Sequence, residues 1–268
     1  MLRLGWFSTG RGPGSLGLLK VVQESILAGV FDARIEFVCS NREEGEAKGS
    51  DNFFGQVLDY GLPLVTLSSR ALRRIHEGDH RTFRALYHRE LMSRIQDYKV
   101  DVCVLAGYML IASEEICNEY TLLNLHPALP GGPAGTWQEV IWRLIETRAT
   151  ETGAMIHLAT KEVDRGPVVT YFTLPLRSKQ FDSLWEQVEG RTIDEIINHP
   201  GEKLPLFKAI REEGIKREQL LLAQTIKILA MGKVTISGRK VLSGEGNPIA
   251  GYCLNEPIES ALSRYPVS

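Results

Sequence analysis

The chain has 268 residues, 43% apolar and 24% charged, with a formal net charge of −2. That length can bury a sizeable core. The near-neutral balance argues against a basic nucleic-acid stripe or a membrane-surface face, and no apolar run reaches the roughly 18–20 residues that cross a bilayer.

The expected elements alternate strand and helix. Residues 2–8 read as a short strand running into the glycine-rich loop TGRGPGS at 9–15, after which Leu16, Leu19, Val22 and Ile26 recur on one helical face over 16–28. Strands are expected at 35–40 and 64–66, with a helix late in 41–60, and an amphipathic helix at 80–98 carries Phe83, Leu86, Leu91 and Ile95. An apolar strand at 102–105, a helix near 113–120 and a strand at 122–125 follow. A helix at 137–147 and two alternating strands at 153–159 and 167–176 come next, then a polar stretch at 179–214 that suits two short helices and a loop. A helix at 217–231 and a hairpin at 232–244, turning at Ser237–Gly238, close the pattern. Such alternation predicts an α/β, Rossmann-like fold, with a mostly parallel central sheet, helices on both faces and a small C-terminal β-hairpin. No repeat or linker divides the chain, so one domain over 1–268 is expected. Its N-terminus has no long apolar leader segment. Cys39, Cys103, Cys117 and Cys253 form no C-x-x-C pair and read as reduced structural thiols, implying a cytoplasmic address.

Ligands of such sheets sit outside the carboxyl ends of the strands. The loop at 9–15 joins a strand to a helix, where successive backbone N–H groups can hold an anion. It lacks the lysine of a P-loop and the G-x-G-x-x-G spacing, and Ser40-Asn41-Arg42 stands where a ribose-binding acid would follow the second strand. A plain glycine turn and a phosphate cradle both fit it. Asn124 and His126, two residues apart on an extended chain, project to one side. A core histidine satisfied by a carbonyl is the alternative for His126, and a turn in D-R-G-P is the alternative for Asp164. His157, in an apolar alternating strand, reads as structural or supporting. His76, His80 and His88 read as solvated, and so does the charge run 203–218. Neither H-E-x-x-H nor G-x-S-x-G occurs, and no metal is implied.

N-L-H-P at 124–127, V-D-R-G-P at 163–167, VLAGYM at 104–109, ETGAMIHLATKEVDRGPVV at 151–169 and the closing GKVTISGRKVL resemble the folate-dependent formyltransferases. The nearest likeness is to the branch acting on glycinamide ribonucleotide. The resemblance implies transfer of a formyl group from 10-formyltetrahydrofolate to the amine of that ribonucleotide in purine biosynthesis, through an oxyanionic tetrahedral intermediate. It implies Asn124, His126 and Asp164 as the catalytic trio. It places the folate against Leu105, Tyr108, Met109, Leu110, Ile111, Ala112, Ala159, Thr160 and Val163. The acceptor falls on Gly12, Gly14, Ser15, Leu16, Gly107, Glu218 and Arg81, with Arg84 an alternative to Arg81. Asn124 and a protonated His126 would donate to the oxyanion, with Asp164 orienting His126. Small-molecule substrates are then the partners, with neither nucleic acid nor membrane, and the chain is a monomer or homodimer.

The chain departs from the family pattern on the acceptor side. Leu16 stands where an asparagine is usual, Leu110 where an arginine is common, and residues 191–214 read as an insertion. A different amine acceptor, such as a sugar nucleotide, is therefore an alternative, as is a non-catalytic folate-binding relative. A nicotinamide oxidoreductase would need a better glycine fingerprint.

Overall fold

Alternating apolar runs and helical spacings fold here as one winding of strands and helices. The structure, a computed structural model, describes residues 1–76 and 78–264. In chain order the elements are β1 (Leu2–Phe7), α1 (Pro13–Leu27), β2 (Ala33–Ser40), α2 (Lys48–Asp59), β3 (Leu64–Thr66), α3 (Ser69–Ile75) and α4 (His80–Ile95). Next come β4 (Val102–Leu105), α5 (Glu114–Glu119), β5 (Leu122–His126), α6 (Trp137–Glu146), β6 (Glu151–Leu158) and β7 (Val168–Pro175). The remainder is α7 (Asp182–Glu186), α8 (Ile193–Asn198), α9 (Pro205–Ala230), β8 (Val234–Ser237), β9 (Lys240–Ser243), β10 (Tyr252–Cys253) and α10 (Asn255–Arg264).

The main sheet runs β10-β7-β6-β5-β4-β1-β2-β3, and β8 pairs with β9 as a separate hairpin. Pairing is parallel from β3 through β5, antiparallel between β5 and β6 and between β6 and β7, and parallel again at β10. The expected mostly parallel sheet with a small hairpin is what forms. Chain order reverses between β1 and β4, which opens a crevice at their carboxyl ends.

Side chains of β1 alternate between two cores. Leu4 and Trp6 enter a cluster with Leu19 and Val22 of α1 and Leu221 and Leu222 of α9. Phe7 points the other way, to Tyr87 and Leu91 of α4 and Cys103 of β4. Cys39, Cys103 and Cys117 are buried free thiols and Cys253 is exposed.

Three expectations need correction. First, the late helix begins at Pro205 rather than at residue 217. Proline suits the first helical position, and Leu206, Phe207 and Ile210 are buried in the core. Their burial outweighs the roughly 1 kcal/mol that Gly214 costs inside a helix. Second, the charge run at 203–218 is not a solvated face: Arg217 is 8% exposed and bonds Glu213 and Glu259, and Arg211 bonds Glu218. Third, His88 is fully buried, its Nδ1–H donating to the Arg84 carbonyl at 2.9 Å. The elements α3, β10 and α10 had no expectation. No helix among the described residues is long and apolar enough to cross a membrane.

Candidate active site

Asn124 and His126 share one face of β5 because strand side chains alternate. The antiparallel register sets His157 of β6 directly opposite Asn124 and Met155 opposite His126. Beyond β6, residues 159–167 turn back toward β7. In that turn Asp164 adopts φ +56°, a left-handed conformation, and a Cβ at Gly166 would overlap the Leu158 carbonyl. The glycine lets the turn close tightly enough to aim the Asp164 carboxylate back at β5.

The geometry joins the expected trio. Asn124 Nδ2 donates to Asp164 Oδ1 at 3.3 Å and to His157 Nε2 at 3.0 Å. His157 Nδ1–H donates to its neighbour's carbonyl, on Leu158, at 3.0 Å, leaving Nε2 free to accept. His126 Nδ1 lies 3.5 Å from Asp164 Oδ2, and its Nε2–H donates to the Pro133 carbonyl at 2.8 Å. The amide of Gly135 donates to Asp164 Oδ2 at 3.4 Å. His157 is thus part of the cluster; its place opposite Asn124 needed the strand register.

Burial pushes the His126 imidazole below its usual range, and the Pro133 carbonyl and the Asp164 carboxylate only partly offset this. Burial alone would raise the Asp164 carboxyl, but the two imidazoles and the Gly135 N–H outweigh it and hold the group below its usual value. The resting pair is therefore a neutral imidazole beside a carboxylate. Their 3.5 Å separation agrees, being longer than a charge-assisted hydrogen bond. The charged His126 that the family resemblance implies is disfavoured here by burial.

The crevice beside this cluster is built from the two loops that follow β1 and β4. Thr9 N–H donates to the Gly107 carbonyl at 3.1 Å, and Met109 N–H donates to Thr9 Oγ1 at 2.9 Å. Thr9 Oγ1 in turn donates to Asn41 Oδ1 at 2.7 Å. Asn41 is 2% exposed and locked in this network, so a buried amide rather than an acid stands directly after β2. Gly107, at φ +68°, packs so closely on Ser15 that a Cβ there would overlap the serine hydroxyl. Gly12, Gly14, Ser15 and Leu16 lie at the start of α1, Ser15 among them buried.

The remaining expected residues divide in two. Met109, Ile111 and Val163 are exposed apolar side chains, 53%, 47% and 48% accessible, on the loops flanking the trio. Leu105 is buried, while Tyr108, Leu110, Ala112, Ala159 and Thr160 are half-buried around them. Glu218 lines a narrow cleft, with a cavity of about 20 Å³, that also includes Pro127, the residue after His126. Burial raises the Glu218 carboxyl, against the pull of Arg211. Arg81 is exposed on the first turn of α4 and its side chain makes no hydrogen bond or ion pair among the described residues, so the structure does not tie it to the cluster. Arg84 serves His88 through its carbonyl.

Residues 59–188 match the family described as formyl transferase. The chain is similar to the phosphoribosylglycinamide formyltransferase of Escherichia coli, at 37% identity over 95 residues, or 35% of this chain and 44% of that one. It is similar to the protein of the same description from Schizosaccharomyces pombe, at 29% identity over 213 residues, or 74% of this chain and 92% of that one. The aligned chain spans about half the length of the first curated relatives it matches. Its fold is that of the phosphoribosylglycinamide formyltransferase structure from Coxiella burnetii, with a TM-score of 0.67, 18% identity and coverage of 94% and 99% of the two chains. The likeness read from N-L-H-P and D-R-G-P is thereby borne out in sequence and fold.

Proposed function

We propose that this chain transfers a formyl group from 10-formyltetrahydrofolate to the amine of glycinamide ribonucleotide, a step of purine biosynthesis. The observation that carries this reading is the hydrogen-bonded cluster of Asn124, His126, Asp164 and His157.

The residues fit both substrates. Met109, Ile111 and Val163 present apolar surface next to the trio, which suits the flat ring system of a folate. The start of α1 offers helix N-terminal amides for a phosphate.

The chemistry follows from the donors. Attack of the amine on the formyl carbon leaves negative charge on the formyl oxygen. Neutral His126 already carries a proton on Nε2, now given to the Pro133 carbonyl, and the formyl oxygen takes that bond over. One amide hydrogen of Asn124, presently on Asp164 at 3.3 Å, supplies the second donor. Such a pair, aimed at developing charge in a water-poor site, is worth about a hundredfold or more per donor. Asp164, ionised and 10% exposed, receives the proton that the attacking amine loses. Nitrogen of the leaving folate is protonated in turn, through His126 or an ordered water.

The reading includes one formyltransferase domain with residues 191–214 as an insertion, and Arg81 as an acceptor contact. It also includes a cytoplasmic address, small molecules as the only partners, and a monomer or homodimer. The experiment is formyl transfer by the purified protein from 10-formyltetrahydrofolate to glycinamide ribonucleotide, with free formate followed in parallel. Ribonucleotide-dependent transfer supports the reading. Folate binding without transfer rejects this acceptor, and formate release that ignores the ribonucleotide rejects transfer in favour of hydrolysis.

A further inference from the structure

The first ten residues of α9, at 205–214, bring Arg211 to the cleft beside His126. Its guanidinium carbon stands 4.6 Å from the centre of the Trp137 ring. Its Nη1 donates to Glu218 Oε1 at 2.9 Å, which among the described residues is the only hydrogen bond the side chain makes. An indole therefore holds one face of the guanidinium and a carboxylate one corner, while the Nε–Nη2 edge has no protein acceptor. A planar fork fixed in this way is preorganised for a two-point bond to an oxyanion.

The surroundings say which oxyanion. Pro127, Gly153 and Phe172 line the same cleft, which therefore reaches the residue that follows His126. Helix α9 also packs on α1: a side chain at Gly17 would run into Gln219, the residue after Glu218. The Arg211–Glu218 pair and the first turn of α1 thus border one corner of the site. That first turn offers the Gly14 and Ser15 amides but no positive charge. Pro13 has no N–H, Leu16 N–H is given to the Gly12 carbonyl at 3.3 Å, and the Leu16 side chain offers none. A phosphate seated there needs a positive partner from across the corner.

We propose that Arg211 recognises the phosphate of the acceptor and is this chain's acceptor-specificity residue, with Glu218 and Trp137 as the positioning residues that hold its fork. The proposal rests on the formyl-transfer reading above, and it adds a charged contact that the α1 loop does not itself supply.

The test compares wild-type protein with Arg211→Met and Arg211→Lys in formyl transfer to glycinamide ribonucleotide, using inorganic phosphate as a competitor of the ribonucleotide. The expected result is a rise of about 10- to 100-fold in acceptor KM for Arg211→Met, the size expected for a lost charge-assisted hydrogen bond. The loss falls on acceptor KM rather than on folate KM or kcat, phosphate inhibition weakens in parallel, and Arg211→Lys lies between. Unchanged acceptor KM and unchanged phosphate inhibition in an active Arg211→Met protein overturn the proposal and leave the formyl-transfer reading standing. Equal rises in both KM values with a lowered Tm also overturn it, because the arginine is then only structural. Wild-type protein that neither binds the ribonucleotide in calorimetry nor formylates it removes the underlying reading, and this proposal with it.

Discussion

The carbonyl of Pro133 accepts a 2.8 Å hydrogen bond from His126 Nε2. Two residues further on, the Gly135 amide reaches Asp164. One short glycine-rich segment therefore touches both groups of the imidazole–carboxylate pair. The neutral state of His126 follows from the same contacts: burial outweighs the help that Pro133 and Asp164 give to a charged ring.

Removal of either group should abolish chemistry while the fold persists. His126→Ala and Asp164→Asn are each expected to lower kcat/KM for formyl transfer by about a hundredfold or more, with a single cooperative thermal transition retained. Steady-state kinetics beside calorimetric unfolding check this. Near-normal turnover in either variant would sink the mechanism.

Leu16 occupies the first turn of α1 without a polar side chain. Leu16→Asn should add one donor to a bound phosphate and lower acceptor KM several-fold, in line with about 0.5–1.5 kcal/mol for a net hydrogen bond. Folate KM should stay put. No change in acceptor KM would mean that the acceptor sits in a different pose.

Thr9 joins the two loops of the crevice, accepting from Met109 N–H and donating to Asn41 Oδ1. It is 2% exposed. Thr9→Val keeps the shape but leaves the part-buried Met109 amide and the buried Asn41 amide oxygen without this partner, at a cost of about 1–3 kcal/mol. Urea unfolding should show that loss, Thr9→Ser should restore most of it, and equal midpoints for threonine and valine would contradict the network.

His88 makes stability depend on pH. Burial lowers its pKa to about 4 in the folded chain, opposed by its bond to the Arg84 carbonyl. In the unfolded chain an imidazole titrates near 6.5. Between these values the unfolded state binds more protons, so stability is complete above about pH 6.5 and falls as the pH drops toward 4. The full span corresponds to about 3 kcal/mol. Denaturant curves between pH 7 and 4.5 should be flatter for His88→Asn than for wild type. Parallel pH profiles for the two proteins would show that His88 protonates freely in the native state.

Much of this was legible in the chain because it depends on local periodicity. Strand–helix alternation set the parallel sheet, β3 at Leu64–Thr66 emerged with its expected bounds, and Asn124 and His126 shared a face by the two-residue period of a strand. The tyrosine–cysteine pair of β10 was not legible, since two exposed residues carry no pattern. Nor was the buried state of His88, which sits in a helix whose sequence is mostly charged and polar. There tertiary packing overrides composition.

By itself, then, the sequence determined the winding of the sheet, the presence of an Asn–His pair at a strand end, and a lone Asp in a glycine turn. Only the tertiary structure decided that Asp164 folds back on both, that His157 joins them through strand register, and that burial keeps His126 neutral. It also decided that Arg211 turns inward to Glu218 and Trp137 rather than out to solvent. Local pattern depends on neighbours a few residues apart, whereas these four outcomes depend on contacts between elements distant in the chain and on the dielectric they enclose.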